Sequence, residues 1–331
     1  MKEDLNALAQ EVLSHYRLTP KAIKLIQGEA MKVVWHLNTA SGPLCLKRLR
    51  YPLEKMHFSI AAQSYLAKHG AHVAPIIPTV RGKDHVEWQG QIFVMYKWIP
   101  GRSVVMERPA DLEAGIKGIA AFHRASAGFK PPKCKISSKL GSWPDHYQSL
   151  HNRLKTWQQV AAKHPKVQGH RAYLQNVSTA LGLIEEAQKR LEHSVYHNWS
   201  KDLEKTKCLC HQDYGDGNAL ITPSGVCVLD LDNVTFELPI CDLRKIIVKR
   251  MVDRGHWDRK FLLDMVHWYD QANPLTAEQK QVLYIDLLFP HEFHGVVKNY
   301  YLKNEKTNAA EIKQVTALEL NKKKILAPLL K

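Results

Sequence analysis

An α+β fold is predicted by two contrasting stretches of one chain and the break between them. Short apolar runs separated by turn chemistry fill the sequence up to about residue 98, and segments with helical periodicity dominate beyond 110. Pro100-Gly101 interrupts the pattern between them. A small antiparallel sheet followed by a larger helical region gives two domains, 1–98 and 99–331. The length of 331 residues agrees, since one small core rarely organises that much chain.

The first element is an amphipathic helix over 3–16, where Leu5, Leu8, Val12 and Leu13 recur at helical spacing. Strands are expected near 22–27, 31–38 and 43–49, and Asn38-Thr39-Ala40-Ser41-Gly42-Pro43 makes the last two a hairpin. A helix near 55–69 stops at Gly70. Strands near 75–80 and 91–98 flank the polar turn Arg81-Gly82-Lys83-Asp84. Helices are then expected at 110–127, 145–163, 167–196, 240–253, 258–271, 276–289 and 307–326. The exception is 208–231, where short apolar runs alternate with Gly and Asn.

Composition narrows the function classes. Lys and Arg number 47 against 32 Asp and Glu, a formal net charge of +15, which favours anionic partners without choosing among them. The basic residues are spread over both halves and form no concentrated arm, so a specific nucleic-acid grip is not expected. The apolar runs Ile92–Ile99 and Val282–Phe289 are too short to span a bilayer. The opening Met1-Lys2-Glu3-Asp4 shows no secretory leader, and the expected compartment of synthesis is the cytoplasm. The six cysteines have neither a disulfide framework nor paired zinc spacing, so Cys208 and Cys210 beside His211 are read as buried thiols. Trp35, Trp98 and Trp143 are assigned by default to packing.

The chemistry concentrates in Cys210-His211-Gln212-Asp213-Tyr214-Gly215-Asp216-Gly217-Asn218, with Val228-Leu229-Asp230-Leu231-Asp232 downstream. An Asp five residues before an Asn, followed by an Asp at a strand end, suits phosphoryl transfer from ATP. One carboxylate meets an acceptor hydroxyl, while an amide oxygen and a second carboxylate hold Mg²⁺ against the phosphates. Gly215 and Gly217 allow a tight path between Asp213 and Asn218.

This H-x-D-x-x-x-x-N run with its following strand Asp resembles the aminoglycoside phosphotransferase and choline kinase group, relatives of the protein kinases. The resemblance covers about residues 20–255 and implies a two-lobed protein-kinase-like fold using ATP and Mg²⁺. By it Asp213 matches the catalytic base, Asn218 and Asp230 the metal ligands, His211 the structural residue opening the loop, and Asp242 the brace of that loop. Lys47, in Leu44-Cys45-Leu46-Lys47-Arg48, matches the strand lysine that steadies the α- and β-phosphates. Phe93 to Arg102, with Met95 and Lys97, matches the hinge whose backbone groups would meet adenine, and Gly28 marks the phosphate-covering loop. Ala121-Phe122-His123-Arg124-Ala125-Ser126-Ala127-Gly128-Phe129, Leu140-Gly141-Ser142-Trp143 and Leu229-Asp230-Leu231-Asp232-Asn233 are similar to the spore coat protein S/I subfamily. That likeness implies a spore coat location and other coat proteins as partners.

Two departures stand out. The loop Gln27-Gly28-Glu29-Ala30-Met31-Lys32 holds one glycine instead of several. The helix 55–69 offers Ser59 and Gln63, with Glu54 just before it, where an active kinase has a Glu for the strand lysine. Nucleotide binding is therefore the firmer expectation. Turnover, onto a small alcohol, a sugar or a protein hydroxyl, competes with a catalytically weak or inactive structural role in the coat. For Asp232 there are two readings, a second Mg²⁺ ligand or a solvent-facing partner for an arginine, and the latter is favoured.

Overall fold

The computed structural model describes residues 4–29, 32–201, 208–303 and 309–331. Ala30 and Met31 of the expected phosphate-covering loop lie outside the described residues. The chain packs as two compact units, Met1–Ser138 with Lys207–Phe236, and Lys139–Thr206 with Glu237–Lys331. The segment carrying Asp213, Asn218 and Asp230 therefore groups with the N-terminal sheet, and the boundary expected near 98 falls inside the first unit.

In the first unit α1 (Leu5–Leu13) is started by Asp4, whose carboxylate accepts the Asn6 and Ala7 amides at 3.0 and 3.1 Å. Strands β1 (Ala22–Glu29), β2 (Lys32–Thr39) and β3 (Gly42–Arg48) follow, then α2 (Leu53–Lys68), β4 (Ile76–Ile77), β5 (Val86–Trp88) and β6 (Gln91–Lys97). The sheet order is β1-β2-β3-β6-β4, with β5 also pairing β6, and every pairing is antiparallel. The β2–β3 hairpin closes on the pair Thr39 and Gly42, as its turn residues predict.

Strand alternation decides what each side chain meets. Val33, Trp35 and Leu37 of β2, Leu44 and Leu46 of β3, and Phe93 and Met95 of β6 pack with Leu8, Val12 and Leu13 of α1 in one core cluster. A second cluster joins Leu49, Ile92 and Val94 to Met56 and Ile60 of α2. Out-of-phase residues Lys32, Val34, Cys45, Lys47 and Tyr96 line a cavity.

Past Pro100 the first unit adds β7 (Arg102–Ser103) and α3 (Pro109–Ala125). The segment 208–231, expected to break the helical pattern with short apolar runs, forms β8 (Leu209–Cys210), β9 (Ala219–Thr222) and β10 (Gly225–Val228), and β11 (Thr235–Phe236) follows it. These make a β10-β9-β7 sheet and a β11-β8 pair. Arg102 fixes β7 to α3 by a two-pronged bond to Asp111, at 2.5 and 2.7 Å. Gly101 must lack a side chain, because a Cβ there would lie 2.8 Å from the Ile221 carbonyl oxygen.

The second unit is helical: α4 (Trp143–Lys163), α5 (Gln168–Glu192), α6 (Tyr196–Lys201), α7 (Ile240–Arg254), α8 (Arg259–Ala272), α9 (Ala277–Leu288), α10 (His291–Lys303) and α11 (Ala309–Leu326). α4 and α11 pack on α5. Its core holds Tyr147 stacked on Phe289 with ring centroids 4.1 Å apart, and buried Tyr173, whose hydroxyl donates to the Leu154 carbonyl at 2.8 Å. Trp143, assigned to packing from sequence, is buried in this unit. Among the described residues no helix is long and apolar enough to cross a membrane.

Candidate active site

A cavity of about 720 Å³ lies within the first unit. Its walls come from the β1–β2 hairpin (Gln27, Lys32), β3 (Cys45, Lys47), the connection Lys97–Gly101, and the segment bearing Asn218, Leu229 and Asp230. Chain distant in sequence thus brings Lys47, Asn218 and Asp230 to one place.

The loop between β8 and β9 carries Asp213 and Asn218. His211 is fully buried and its Nε2 lies 2.6 Å from the Leu229 carbonyl oxygen, while its Nδ1 lies 3.3 Å from the Asp213 amide nitrogen. These partners assign the proton to Nε2, with Nδ1 accepting the Asp213 N–H. The ring ties the start of the loop to the residue before Asp230. Asn218 donates its Nδ2–H to the Asp213 carbonyl at 2.8 Å, and its own carbonyl accepts the Leu229 amide at 2.9 Å. Its amide oxygen is thereby turned away from the loop-closing bond. Further along, Asp216 accepts the Met106 amide at 2.9 Å and Tyr214 donates to the Gly115 carbonyl at 2.8 Å, pinning the loop to α3 and the segment before it. The Asp213 side chain is exposed.

Asp230 follows β10 in the left-handed backbone region, at φ 61° and ψ 62°. A non-glycine residue held there marks a constrained position, of the kind concentrated at functional sites. Its Oδ1 accepts from Lys47 Nζ at 2.7 Å and its Oδ2 from Lys32 Nζ at 2.5 Å. Lys47 also donates to Asp232 Oδ1 at 2.6 Å. Burial alone would push the Lys47 ammonium toward its neutral form, but Asp232 and Asp230 outweigh it and raise its pKa. For Asp230, burial would raise the carboxyl pKa, yet Lys47 and Lys32 hold it well below the usual carboxylate range. Burial pushes the Cys45 thiol beside them up to about 11, against the pull of Lys47.

Asp232 therefore differs from the solvent-facing arginine partner favoured from sequence. Its side chain is only 10% exposed, and it is a carboxylate partner of the strand lysine. The residues on the helix side are engaged elsewhere: Gln63 donates to the Ala74 carbonyl at 2.7 Å, Ser59 to the Met56 carbonyl at 3.0 Å, and Glu54 is exposed. Lys47 thus takes its carboxylates from the Asp230 strand end, and Glu54 of α2 stays exposed.

Of the other anticipated nucleotide contacts, Lys97 lines the cavity with Trp98, Ile99, Pro100 and Gly101. The Met95 side chain does not, because strand alternation turns it into the α1 core, where it is fully buried. Gly28 lies inside β1, paired with Val33, and its neighbours Ile26 and Gln27 line the cavity instead. Asp242 lies in the first turn of α7 in the helical unit, nearly inaccessible, with Lys245 Nζ at 4.0 Å. Lys32 is the cavity residue that sequence reasoning passed over. Its only advance signal is being a cation in a loop where glycine is expected.

Cys208 and Cys210 are buried, and they meet His123 of α3, with ligand-capable atoms all within 4.8 Å of one another. Ser126 knits this group, donating to the His123 carbonyl at 2.6 Å and accepting the Leu209 amide at 2.9 Å, with Cys208 Sγ 3.7 Å from its hydroxyl, so it anchors the base of the loop.

The oxygen donors of Asp230 and Asn218 suit a hard divalent cation such as Mg²⁺. Two ammonium groups stand at the same carboxylate.

Solved structures share this architecture. An aminoglycoside phosphotransferase from Alicyclobacillus acidocaldarius superposes with a TM-score of 0.77 at 16% identity, covering 97% of this chain and 94% of that one. Spectinomycin phosphotransferase APH(9)-Ia, solved with ADP and spectinomycin, gives 0.60 at 13% identity, covering 98% of this chain and 99% of that one. These likenesses establish a kinase-like α+β fold. In sequence, spore coat protein S of Bacillus subtilis is 29% identical over 307 residues, 92% of this chain and 88% of that protein. The endospore coat-associated protein YutH of the same organism is 24% identical over 236 residues, 71% of this chain and 66% of that protein. The family described as "Spore coat putative kinase YutH" matches residues 12–327, and the chain belongs to it.

Proposed function

We propose that this kinase-like spore coat protein is an ATP-binding phosphotransferase that acts on a hydroxyl acceptor. The observation that carries the reading is the convergence of Lys47, Asn218 and Asp230 on one cavity of about 720 Å³ whose far wall is the Lys97–Gly101 connection. The relatives' names support the spore coat as its location, with other coat proteins as neighbours, and the basic balance of +15 suits acidic surroundings.

In this reading the apolar and backbone groups of Tyr96 to Gly101 hold the base, and Lys47 steadies the α- and β-phosphates. Asp213, exposed on the loop, accepts the acceptor hydroxyl proton as the bond to phosphorus forms, while His211 and Asn218 fix its backbone. Asn218 and Asp230 would hold Mg²⁺, which when bound neutralises phosphate charge. Transfer is direct, and most of the rate comes from positioning and charge neutralisation.

A second reading, a catalytically weak coat component, is favoured by one observation: both oxygens of Asp230 are already engaged by ammonium groups. The experiment compares Mg·ATP binding and ATP turnover for wild type, Asp213→Asn and Asp230→Asn. The enzyme reading expects Asp230→Asn to weaken binding, and Asp213→Asn to bind but lose turnover. Equal trace turnover in all three overturns the catalytic role, and no nucleotide binding under any metal condition overturns the nucleotide reading.

A further inference from the structure

We propose that Lys32 is a built-in phosphate ligand that takes over charge neutralisation beside Asp230, so that the cavity binds nucleoside di- and triphosphates without a divalent ion. The inference rests on the nucleotide reading of the cavity and adds to it the identity of the cation.

The argument begins at the hairpin. A glycine-rich loop approaches phosphate oxygens through free backbone amides. Here β1 and β2 stay paired as far as Glu29 and Lys32, and the one glycine, Gly28, is inside the ladder opposite Val33. A Cβ on Gly28 would come within 3.1 Å of Leu25, so this glycine relieves packing inside the hairpin. Phosphate recognition from this edge then falls to a side chain, and Lys32 is the cation of β2 that lines the cavity.

Donor accounting favours phosphate over metal as the incoming partner. An ammonium group has three N–H donors. Lys32 spends one, on Asp230 Oδ2, and its side chain remains 27% exposed. Lys47 spends two, on Asp230 Oδ1 and Asp232 Oδ1. Donors are therefore left over for oxygens of an incoming phosphate chain, with the Asp230 contacts kept. A divalent ion arriving at Asp230 must instead displace one or both ammonium groups, and with them charge-assisted hydrogen bonds. Two lysines already balance the two carboxylates and Lys97 adds a further cation to the lining, so the cavity presents a net positive charge to a phosphate chain without first acquiring a metal. Lys32 is a binding residue in this account, and transfer chemistry is not assigned to it.

The test is calorimetric titration of ADP and ATP into the full chain, once in excess EDTA and once in excess magnesium. Four proteins are compared: wild type, Lys32→Met, Lys32→Arg and Lys24→Met, the last an exposed β1 lysine outside the cavity. Wild type is expected to bind ADP in EDTA within about threefold of its affinity in magnesium, with Lys24→Met the same. Lys32→Met is expected to lose about tenfold or more in EDTA and to recover part of that with magnesium, while Lys32→Arg keeps EDTA binding. Thermal melting without nucleotide confirms that each variant is folded. Wild-type binding that appears only with magnesium overturns the inference and leaves the nucleotide reading standing. Unchanged EDTA affinity in Lys32→Met also overturns it. No binding in either medium overturns both.

Discussion

His211 Nε2 lies 2.6 Å from the Leu229 carbonyl oxygen, so one buried ring couples the loop of Asp213 to the strand end of Asp230. The same ring accepts the Asp213 amide through Nδ1 at 3.3 Å. Replacing His211 with Leu keeps much of the volume and removes both contacts, leaving a carbonyl and an N–H to find other partners. The expected cost is about 1–3 kcal/mol of stability, read as a lower melting temperature. Nucleotide affinity should fall as well, because Asp230 loses its connection to the loop. A variant that melts with wild type would show that the ring does not couple the two segments.

Lys47 holds two carboxylates that burial has brought together. Lys47→Met leaves Asp230 and Asp232 without that cation, at a cost of roughly 3 kcal/mol at neutral pH. The pH dependence follows from Asp230, whose folded pKa is depressed mainly by Lys47 and Lys32 against the effect of burial. A depressed carboxylate pKa contributes stability above its unfolded value near 3.9 and loses it as pH falls toward the folded value. The gap between wild type and Lys47→Met should therefore be widest near neutrality and narrow below about pH 4. Urea denaturation midpoints across that range check it, and a constant gap counts against the pairing.

How much of this was readable in advance depends on the range of the interaction that decides each feature. Period-two alternation in β2 and β3 puts Lys47 out of phase with Leu44 and Leu46, and the structure has it on the cavity side. The same alternation in β6 turns the Met95 side chain into the core, whereas the hinge resemblance concerns backbone groups. α10 went unread because Pro290 precedes it, Gly295 interrupts it, and its histidines and tyrosines are indifferent helix formers. Tertiary contacts supply what propensity lacks there: Phe293 and Val297 are buried, and Tyr301 stacks on Trp157 at 5.0 Å. Lys32 and Asp230 are 198 positions apart, and a single lysine at a hairpin carries no periodic signal. Local pattern reveals elements, whereas this ion pair needed the folded chain.

Asp286 is the buried hub of the helical unit. It accepts from the Tyr147 hydroxyl at 2.7 Å and Arg244 Nε at 3.0 Å, and His291 Nε2 lies 3.0 Å from the same carboxylate. Burial would raise its carboxyl pKa, but Arg244 and His291 hold it low. Asp286→Ala strips the counter-charge from a buried guanidinium and should cost roughly 3–5 kcal/mol. The double replacement Asp286→Leu with Arg244→Met should cost less than the sum of the single losses, because no buried charge is left alone. A double-mutant cycle measured by denaturation decides this, and additive losses would remove Asp286 from its place as the partner of Arg244.

Glu237 provides a pH test confined to the same unit. It is 2% exposed, and burial pushes its carboxyl up to about 7, against the Leu238 amide that it accepts at 2.9 Å. The sign is opposite to that of Asp230. A carboxyl whose folded pKa is raised binds its proton more tightly in the native state, so its contribution is greatest below the unfolded value near 4.3. That contribution is lost as pH rises toward 7, by up to roughly 3 kcal/mol for this one group. His291 and His294 act on the acid side: burial lowers each to about 4, so both cost stability as pH falls from 6.5 toward 4. Because these histidines are common to both proteins, subtracting the wild-type melting curve from that of Glu237→Gln isolates the carboxyl. The variant should gain on wild type steadily between about pH 5 and pH 8 and hold a constant advantage above that. A difference that does not change with pH would mean that Glu237 ionises in the folded protein as it does in water.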